Sequence, residues 1–336
     1  MSWFDRLISF LRSLPGPTWI SGFLIAGTMW LLFQGIIAIS RGGAPENFSL
    51  GLIVAASWSP LMATAFSYIK DITVQSLRKF RPISALDDTA YKNVSARLTE
   101  QSATEGWIAL IISAVFMVPL RLSDPTILGL AIGMQPADTF VLALGWLNTS
   151  VVMMSIMRAW RILTTIEYLY STDQQVNLFN RGPLFAFSRV ASAFALNFVV
   201  MTYYFFYIGF PKETQNPLMV GVTLLLGLPF TLAILIAPLY SMHIRMAEEK
   251  ERLEAEVRTR IEQVVADLHR AMDSGQQAGL DPLNRLLSSL MTEEEYLQKI
   301  PTWPWEPGTP IRLISIVLVP PIIFIVQQLL LRFLPR

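Results

Sequence analysis

The sequence predicts an all-helical polytopic membrane protein with seven transmembrane helices, N-terminus in and C-terminus out, and a helical cytoplasmic domain. Of its 336 residues, 53% are apolar and only 15% are charged, and the mean hydropathy is +0.46. Soluble domains average about 25% charged residues, so this composition excludes an ordinary soluble enzyme domain. Seven segments hold enough apolar residues to cross a hydrocarbon core about 30 Å thick.

The charged and reactive residues narrow the classes of function further. Lysine and arginine total 26 against 25 acidic residues, and the net charge of +1 gives no reason to expect a nucleic acid partner. The chain has no cysteine, which excludes disulfides, thiolate metal sites and thiol catalysis and leaves the redox compartment undetermined. With two histidines and no catalytic motif, we expect no metal, no cofactor and no enzymatic activity.

Residues 1–17 form the first predicted element, an amphipathic interfacial helix. Asp5, Arg6 and Arg12 fall on its polar face, and the segment Pro15-Gly16-Pro17 stops the helix. The apolar residues of the other face are Trp3, Phe4, Leu7, Ile8, Leu11 and Leu14. We therefore expect this helix to lie on the membrane.

Residues 18–246 contain the first six predicted transmembrane helices, with cytoplasmic loops at 70–104 and 158–182. The third helix is the shortest, and the apolar residues 126–134 behind it predict a re-entrant or interfacial turn. The six predicted spans are 19–40, 48–69, 107–122, 140–160, 183–210 and 217–241.

The orientation follows from the positions of lysine and arginine. With the N-terminus inside, twenty of these residues lie on the inner side and five on the outer side, and Arg189 falls within a span. Inner loops of membrane proteins carry an excess of basic residues, so the N-terminus is predicted to be cytoplasmic. The inner loops are also the long ones, and we expect them to pack into a helical domain below the membrane.

Residues 247–310 predict the largest part of this cytoplasmic domain. Glutamate precedes arginine at i,i+4, a spacing that stabilises a helix, and an apolar seam follows the opposite face. The pairs are Glu248–Arg252, Glu254–Arg258 and Glu256–Arg260, and the seam is Leu253, Val257, Ile261, Val264 and Leu268. The seam fits either a half-solvated helix packed on the other inner loops or a short intersubunit coiled coil.

Further signals divide the region after the seam. Asp281 followed by Pro282 predicts a helix start with Asp281 as its N-cap. Thr292 and Glu295 predict a capping box that begins another short helix. The prolines in 301–307 exclude a helix, so this segment predicts a stiff strap with two tryptophans at the membrane interface.

Polar side chains within the spans are the candidate cavity or ligand residues. Arg189 either extends to the inner surface or faces a cavity, where it would hold an anion or a neighbouring carboxylate. Ser57 and Thr64 lie on one stripe of the second span, which fits close helix packing or a ligand or water pocket. Asn148 and Asn197 complete the set, as ligand candidates or as interhelical hydrogen-bond partners.

The last segment, 311–336, predicts the seventh transmembrane helix and the candidate pore lining. Pro320, Ile323, Gln327 and Leu330 share one face of this helix. Repeated around an oligomer axis, such a face makes an apolar constriction next to a polar ring, which is typical of a weakly selective gated pore. The alternative is that the glutamine forms hydrogen bonds within the helical bundle.

The topology and the last helix resemble those of the insect odorant and gustatory receptor superfamily of ligand-gated cation channels. That family also has seven spans, an inside N-terminus, inner extensions below the membrane and a last span that follows a cytoplasmic helix. Its last helix carries five apolar residues followed by Gln, and residues 322–326 with Gln327 match this part of the pattern. The resemblance implies a tetramer whose seventh helices line the pore, with Gln327 on the lining and a small-molecule pocket in the outer half of the other helices.

We therefore expect an oligomeric ion channel or channel-like sensor of the cell membrane, with the last transmembrane helix lining the pore. Its expected partners are membrane lipids and further copies of the chain, and a small-molecule ligand is a further candidate. A secondary transporter is the alternative, although the odd span count and the lack of a visible internal repeat argue against it. A scaffold for the assembly of other membrane proteins is the third interpretation.

Overall fold

The computed structural model describes most of the chain, and helices are its regular elements there. The described residues are 1–40, 50–84, 86–123, 136–171, 176–204, 217–274, 280–305 and eight positions within 308–326. The predicted all-helical class is confirmed for this part of the chain.

Ten α-helices follow one another along the described ranges. They are α1 Trp3–Ser13, α2 Thr18–Ser40, α3 Leu50–Phe80, α4 Asp88–Thr99, α5 Ala103–Ser123, α6 Pro136–Ser171, α7 Arg181–Leu184, α8 Ser188–Tyr203, α9 Pro217–Asp273 and α10 Leu280–Gln298. A short 3₁₀ turn, Arg81–Ile83, follows α3. Helices α3, α6 and α9 continue well beyond the predicted spans, into the segments predicted to form the helical cytoplasmic domain.

Five helical stretches are long and apolar enough to cross a membrane, in agreement with the predicted membrane class. Among the described residues these stretches are Thr18–Ile39, Leu52–Ile83, Leu142–Ser171, Arg181–Tyr203 and Pro229–Asp273. The predicted third span forms α5, whereas most of the predicted seventh span and all of the predicted turn at 126–134 lie outside the described residues. The count of seven and the orientation stay predictions.

Helix α1 forms as predicted, and its apolar face packs against the helical bundle. Ser2 is its N-cap, and the Ser2 hydroxyl accepts the backbone N–H of Asp5 at 3.1 Å. Phe4, Ile8 and Leu11 are at most 2% exposed and belong to the main core, where α1 contacts α2, α3 and α5. The predicted polar face is wrong at one position, because Asp5 is buried.

Helix α9 is a single helix of 57 residues that runs from the sixth predicted span into the region predicted to be cytoplasmic. Helix α10 packs antiparallel against its second half. Arg258 bonds to Glu294 at 3.2 Å, and the Lys250 ammonium donates to the carbonyls of Gln298 and Ile300 at 2.8 and 3.0 Å. Val257 of the apolar seam and Leu297 of α10 belong to the same buried core, and Leu253 and Ile261 of the seam pack against that core.

Two details predicted for this hairpin are wrong. Helix α10 begins at Leu280, so Asp281 lies in its first turn, and the helix continues unbroken to Gln298. Thr292 therefore lies inside a helix, where its hydroxyl donates to the carbonyl of Ser288 at 2.9 Å. The Thr-x-x-Glu pattern does not begin a helix here because the residues before it are already helical. The Thr292 hydroxyl instead donates to the backbone carbonyl four residues earlier in the same helix.

The ion pairs along α9 differ in part from those predicted. Glu254 and Arg258 pair at 3.7 Å, as predicted. Arg252 bonds to Glu249 at 2.6 Å and to Glu256 at 3.1 Å. These two pairs replace the predicted pairs Glu248–Arg252 and Glu256–Arg260. Residues three and four positions apart are both neighbours on a helix surface, so spacing alone does not decide between competing partners.

Residues 301–305, the described part of the strap after α10, are not helical, as the prolines predicted, and they lie against α9. The Trp303 ring stacks on His243 with 4.1 Å between the ring centroids. Nδ1 of His243 lies 3.2 Å from the carbonyl oxygen of Thr302, and Trp303 also stacks with Trp305. The strap is therefore attached to the inner end of the sixth predicted span just before the last segment begins.

Candidate functional site

A buried ion pair joins α1 to α6. The Asp5 and Arg158 side chains are 3% and 1% exposed, and Nη1 of Arg158 lies 2.9 Å from Oδ1 of Asp5. Arg158 belongs to a helix that is apolar enough to span a membrane. Ionisable residues are costly in such helices and commonly mark functional positions, so this pair defines the candidate site.

Hydrogen bonds complete the surroundings of the Asp5 carboxylate. Its Oδ2 accepts the backbone N–H of Gln101 at 2.7 Å and the hydroxyl of Ser2 at 3.2 Å. Nη2 of Arg158 donates to the carbonyl of Thr99 at 3.1 Å, which fixes the guanidinium in place. We call the guanidinium of Arg158 and the backbone N–H of Gln101, which both lie outside α1, the anion cradle.

Aromatic side chains surround the anion cradle. Cζ of Arg158 lies 5.7 Å from the ring centroid of Phe66 on α3, in cation–π geometry. The Phe66 ring makes edge contacts with Phe4 of α1 at 5.7 Å and with Phe194 of α8 at 5.8 Å. Because these rings exclude water, the Arg158 charge depends on its protein partners for stabilisation.

Two further ion pairs lie beside the cradle. Arg12 of α1 donates to Asp71 of α3 at 2.6 Å and to the hydroxyl of Ser67 at 2.8 Å. Arg161 of α6 pairs with Glu105 of α5 at 2.9 Å. Helix α1 is therefore held by ion pairs near both of its ends, through Asp5 near the first end and Arg12 near the last.

The start of α5 is built to receive α1. Ser102 and Glu105 form a reciprocal capping box, in which the backbone N–H of each donates to the side chain of the other at 3.1 Å. Next to it, Nε1 of Trp3 donates to the carbonyl of Gly106 at 3.1 Å. A Cβ at Gly106 would lie 2.9 Å from Cδ1 of Trp3, so glycine allows α1 to approach this closely.

Exposed tryptophans indicate the depth of the cradle in a membrane. Trp160, Trp107 and Trp19 are 71%, 66% and 57% exposed. Trp160 follows Arg158 by two positions, Trp107 follows Gly106, and Trp19 lies in the first turn of α2, the helix after α1. Since tryptophan is enriched at the level of the lipid headgroups, a membrane around this bundle would have the cradle near that level.

Ser57 and Thr64, predicted as pocket or packing residues, lie where helices approach each other. The Ser57 hydroxyl shares a hydrogen bond with the hydroxyl of Tyr204, which follows α8. The Thr64 hydroxyl donates to the carbonyl of Pro60 at 2.9 Å. Thr64 also faces Gly22 of α2, where an added Cβ would overlap Oγ1 of Thr64.

The remaining predicted candidates are dispersed. Asn148 bridges α6 to α3, because Ser59 donates to its Oδ1 at 2.6 Å and its Nδ2 donates to the carbonyl of Ala55 at 2.7 Å. Asn197 is half-buried on α8. Arg189 lies in the first turn of α8 and is exposed, whereas the anion cradle is buried.

The pore candidates Pro320, Ile323, Gln327 and Leu330 lie outside the described residues. The described positions of the last segment form an exposed apolar face. Its members are Ile311, Ile314, Leu318, Ile322 and Val326. At the rotation of about 100° per residue of an ideal helix, the sequence predicts that the pore face would lie on the other side from these residues.

Reasoning from the sequence missed the anion cradle, although two signals for it were present. Asp5 and Arg12 are seven positions apart, so they share one flank of α1 beside its apolar face. Arg158 continues an apolar helix without a break, yet its charge favoured placing it in a loop. The pairing of Asp5 with Arg158 across 153 positions has no local pattern.

The function of the chain has to be inferred from its own residues and contacts. Comparison with protein family models, with curated proteins and with solved structures found no match.

Proposed function

We propose that the protein is an oligomeric ion channel or channel-like sensor of the cell membrane, with its last transmembrane helix lining the pore. The observation that supports this most is the continuity of α9. Its 57 residues join the sixth predicted span to the hairpin with α10. Because a packed helix shifts as a unit, a movement of the hairpin is passed to the membrane end of α9.

The strap supports the second step of this coupling. Trp303 and Thr302 contact His243 on α9, and the chain enters the last segment only a few residues later. A shift of α9 therefore displaces the start of the proposed pore helix. In this arrangement the hairpin acts as the sensor and the last helix as the gate.

The pore is proposed from the pattern of the last helix. Pro320, Ile323, Gln327 and Leu330 combine a helix kink, apolar side chains and an amide on one face. The exposed apolar residues on the opposite face are suited to contact lipid or neighbouring helices. A symmetric oligomer, a tetramer if the receptor-channel resemblance holds, would bring four such faces together.

Conductance of the purified full-length chain in planar bilayers tests the proposal. We expect an oligomer that gives discrete conductance steps. Ile323→Ser should raise the resting conductance, since an apolar ring closes a pore by dewetting, and Gln327→Ala should change ion preference. Ile322→Ser, on the exposed opposite face, is the matched control and should leave the resting conductance unchanged. A monomer, or an intact oligomer that never conducts, would contradict the channel.

An assembly scaffold for other membrane proteins is a second candidate. The polar groups within the described bundle bond across helices, as in the Ser59–Asn148 contact and the Ser113–Ser150 contact, both at 2.6 Å. Such bonds fix helices against one another. Stable co-purification with another membrane protein, together with silent bilayers, would favour this candidate.

A further inference from the structure

We propose that the anion cradle is a binding site for the phosphate of an anionic lipid in the inner leaflet, and that Asp5 occupies the site in place of that phosphate. The inference rests on the proposed sensor function and names both a ligand and the element that the ligand moves. Helix α1 is then a latch that is either docked on the bundle or released to the membrane surface.

The groups that hold the Asp5 carboxylate are those that recognise phosphate oxygens. Arg158 donates to Oδ1 at 2.9 Å, and the backbone N–H of Gln101 donates to Oδ2 at 2.7 Å. Lys70 of α3 is a second cation whose charge interacts with those of Asp5 and Arg158. Guanidinium and backbone N–H groups bind carboxylates and phosphates with the same geometry, so a lipid phosphate is a chemical substitute for Asp5.

The connection of α1 to the bundle permits the exchange. Helix α1 joins α2 through Pro15-Gly16-Pro17, and the φ angle of Gly16 is +99°, a conformation that favours glycine. Released from the bundle, α1 has a second place to bind, because its apolar face and its arginines Arg6 and Arg12 match an anionic membrane surface. Phe10, which is 54% exposed, already extends this apolar face beyond the bundle.

The position of the cradle brings lipid phosphates within reach. The exposed Trp160 and Trp107 lie next to the cradle and mark the headgroup level. Departure of α1 would leave Arg158 without its counter-charge, and an uncompensated buried charge is strongly unfavourable. A phosphate that enters as Asp5 leaves removes this penalty, which couples lipid composition to the position of α1.

Pulsed EPR distances in lipid nanodiscs test the exchange. The chain has no cysteine, so spin labels attached at Ser9→Cys and Ala96→Cys, two exposed positions on α1 and α4, report the separation of these helices. In phosphatidylcholine discs we expect one short distance. Phosphatidylglycerol should add a population at longer distance, and Asp5→Asn should increase that population several-fold, because no carboxylate then competes for Arg158.

The double variant Asp5→Asn with Arg158→Gln is the matched control, since it removes both charges and keeps a polar amide side chain at each position. Its response to phosphatidylglycerol should be much smaller than that of the native sequence, since only the attraction of Arg6 and Arg12 to the anionic surface remains. Equal distance distributions in both lipids for the native sequence, or a full lipid response in the double variant, would overturn the proposal. Release by inorganic phosphate in phosphatidylcholine discs would identify a soluble anion and overturn the lipid assignment. The distances do not depend on conductance, so this inference and the channel can fail separately.

Discussion

At the scale of single residues, the ion pairs that hold α1 differ in energy because they differ in burial. Arg12 and Asp71 are 33% and 58% exposed, and pairs of this kind contribute about 0–1 kcal/mol. Asp5 and Arg158 are almost fully buried. Loss of one member of such a pair leaves the other charge without a partner and costs about 3–5 kcal/mol.

Arg158→Gln should therefore lower the free energy of unfolding by about 3–5 kcal/mol. The control Asp71→Asn should lower it by less than about 1 kcal/mol. Denaturation of the purified variants in a mild detergent measures both values. Asp5→Asn combined with Arg158→Gln should recover part of the loss, since no charge is then left unpaired. Similar losses for Arg158→Gln and Asp71→Asn would show that the buried pair has no special role.

The close approach of α2 to α3 depends on Gly22, because glycine has only a hydrogen atom where other residues have a side chain. A Cβ there would overlap Oγ1 of Thr64 and lie 3.2 Å from its Cβ. Gly22→Ala should therefore cost about 1–3 kcal/mol of stability, as overpacking does in other buried contacts. The control Gly27→Ala meets no atom within 4 Å and should be neutral or stabilising. Adding Thr64→Ala to Gly22→Ala removes the hydroxyl and should restore part of the lost stability. If the double variant were no more stable than Gly22→Ala, the clash would not involve Thr64.

At the scale of elements, the helices were predictable because each has its own apolar pattern, whereas contacts between distant helices were not. Two capping-box patterns, one with serine and one with threonine, show why local sequence is not sufficient. Ser102-x-x-Glu105 caps α5, because the residue before it, Gln101, is outside a helix and bonds to α1. Thr292-x-x-Glu295 lies inside α10 and caps nothing. Only the tertiary contacts of Gln101, which also form the anion cradle, separate the two cases.

The hairpin of α9 and α10 should depend on Lys250, because its ammonium caps two carbonyl groups at the end of α10. Lys250→Gln is expected to raise amide hydrogen exchange in the last turn of α10 several-fold, with little change in the first turn. Lys299→Gln is the control, since Lys299, which directly follows α10, bonds to Glu295 in the last turn of that helix and is 72% exposed. Equal exchange in both variants would mean that Lys250 does not hold the helix end.

At the scale of the whole molecule, the segments predicted to be cytoplasmic meet at one end of the bundle. Phe179 stacks on Tyr296 of α10 at 6.0 Å. Arg245 of α9 donates to the carbonyl of Ser171 at the end of α6, at 2.5 Å. The positive-inside pattern predicted that these segments share a side, but their mutual contacts depend on packing that no local pattern records.

Topology reporters test the predicted orientation of the whole chain. A reporter fused after Arg336 should be found outside, and one inserted at Gly275 should be found in the cytoplasm, because twenty basic residues lie on the predicted inner side against five on the outer. Protease protection of the same fusions is an independent readout. If both reporters were on the same side, the count of seven spans would be wrong, and the last span would be the first to re-examine, because it alone separates the two insertion sites.

The central claim, that the last helix lines a pore, is tested most directly by cysteine accessibility during conductance recording. The chain has no cysteine of its own, so single cysteines at residues 318–331 can be modified with aqueous thiol reagents against a clean background. We expect current to change on modification at positions 320, 323, 327 and 330, which recur every three to four residues on one face. The exposed positions Leu318, Ile322 and Val326 should stay unreactive or have no effect on current. Reaction of the 318, 322 and 326 face with protection of the other face would contradict the pore.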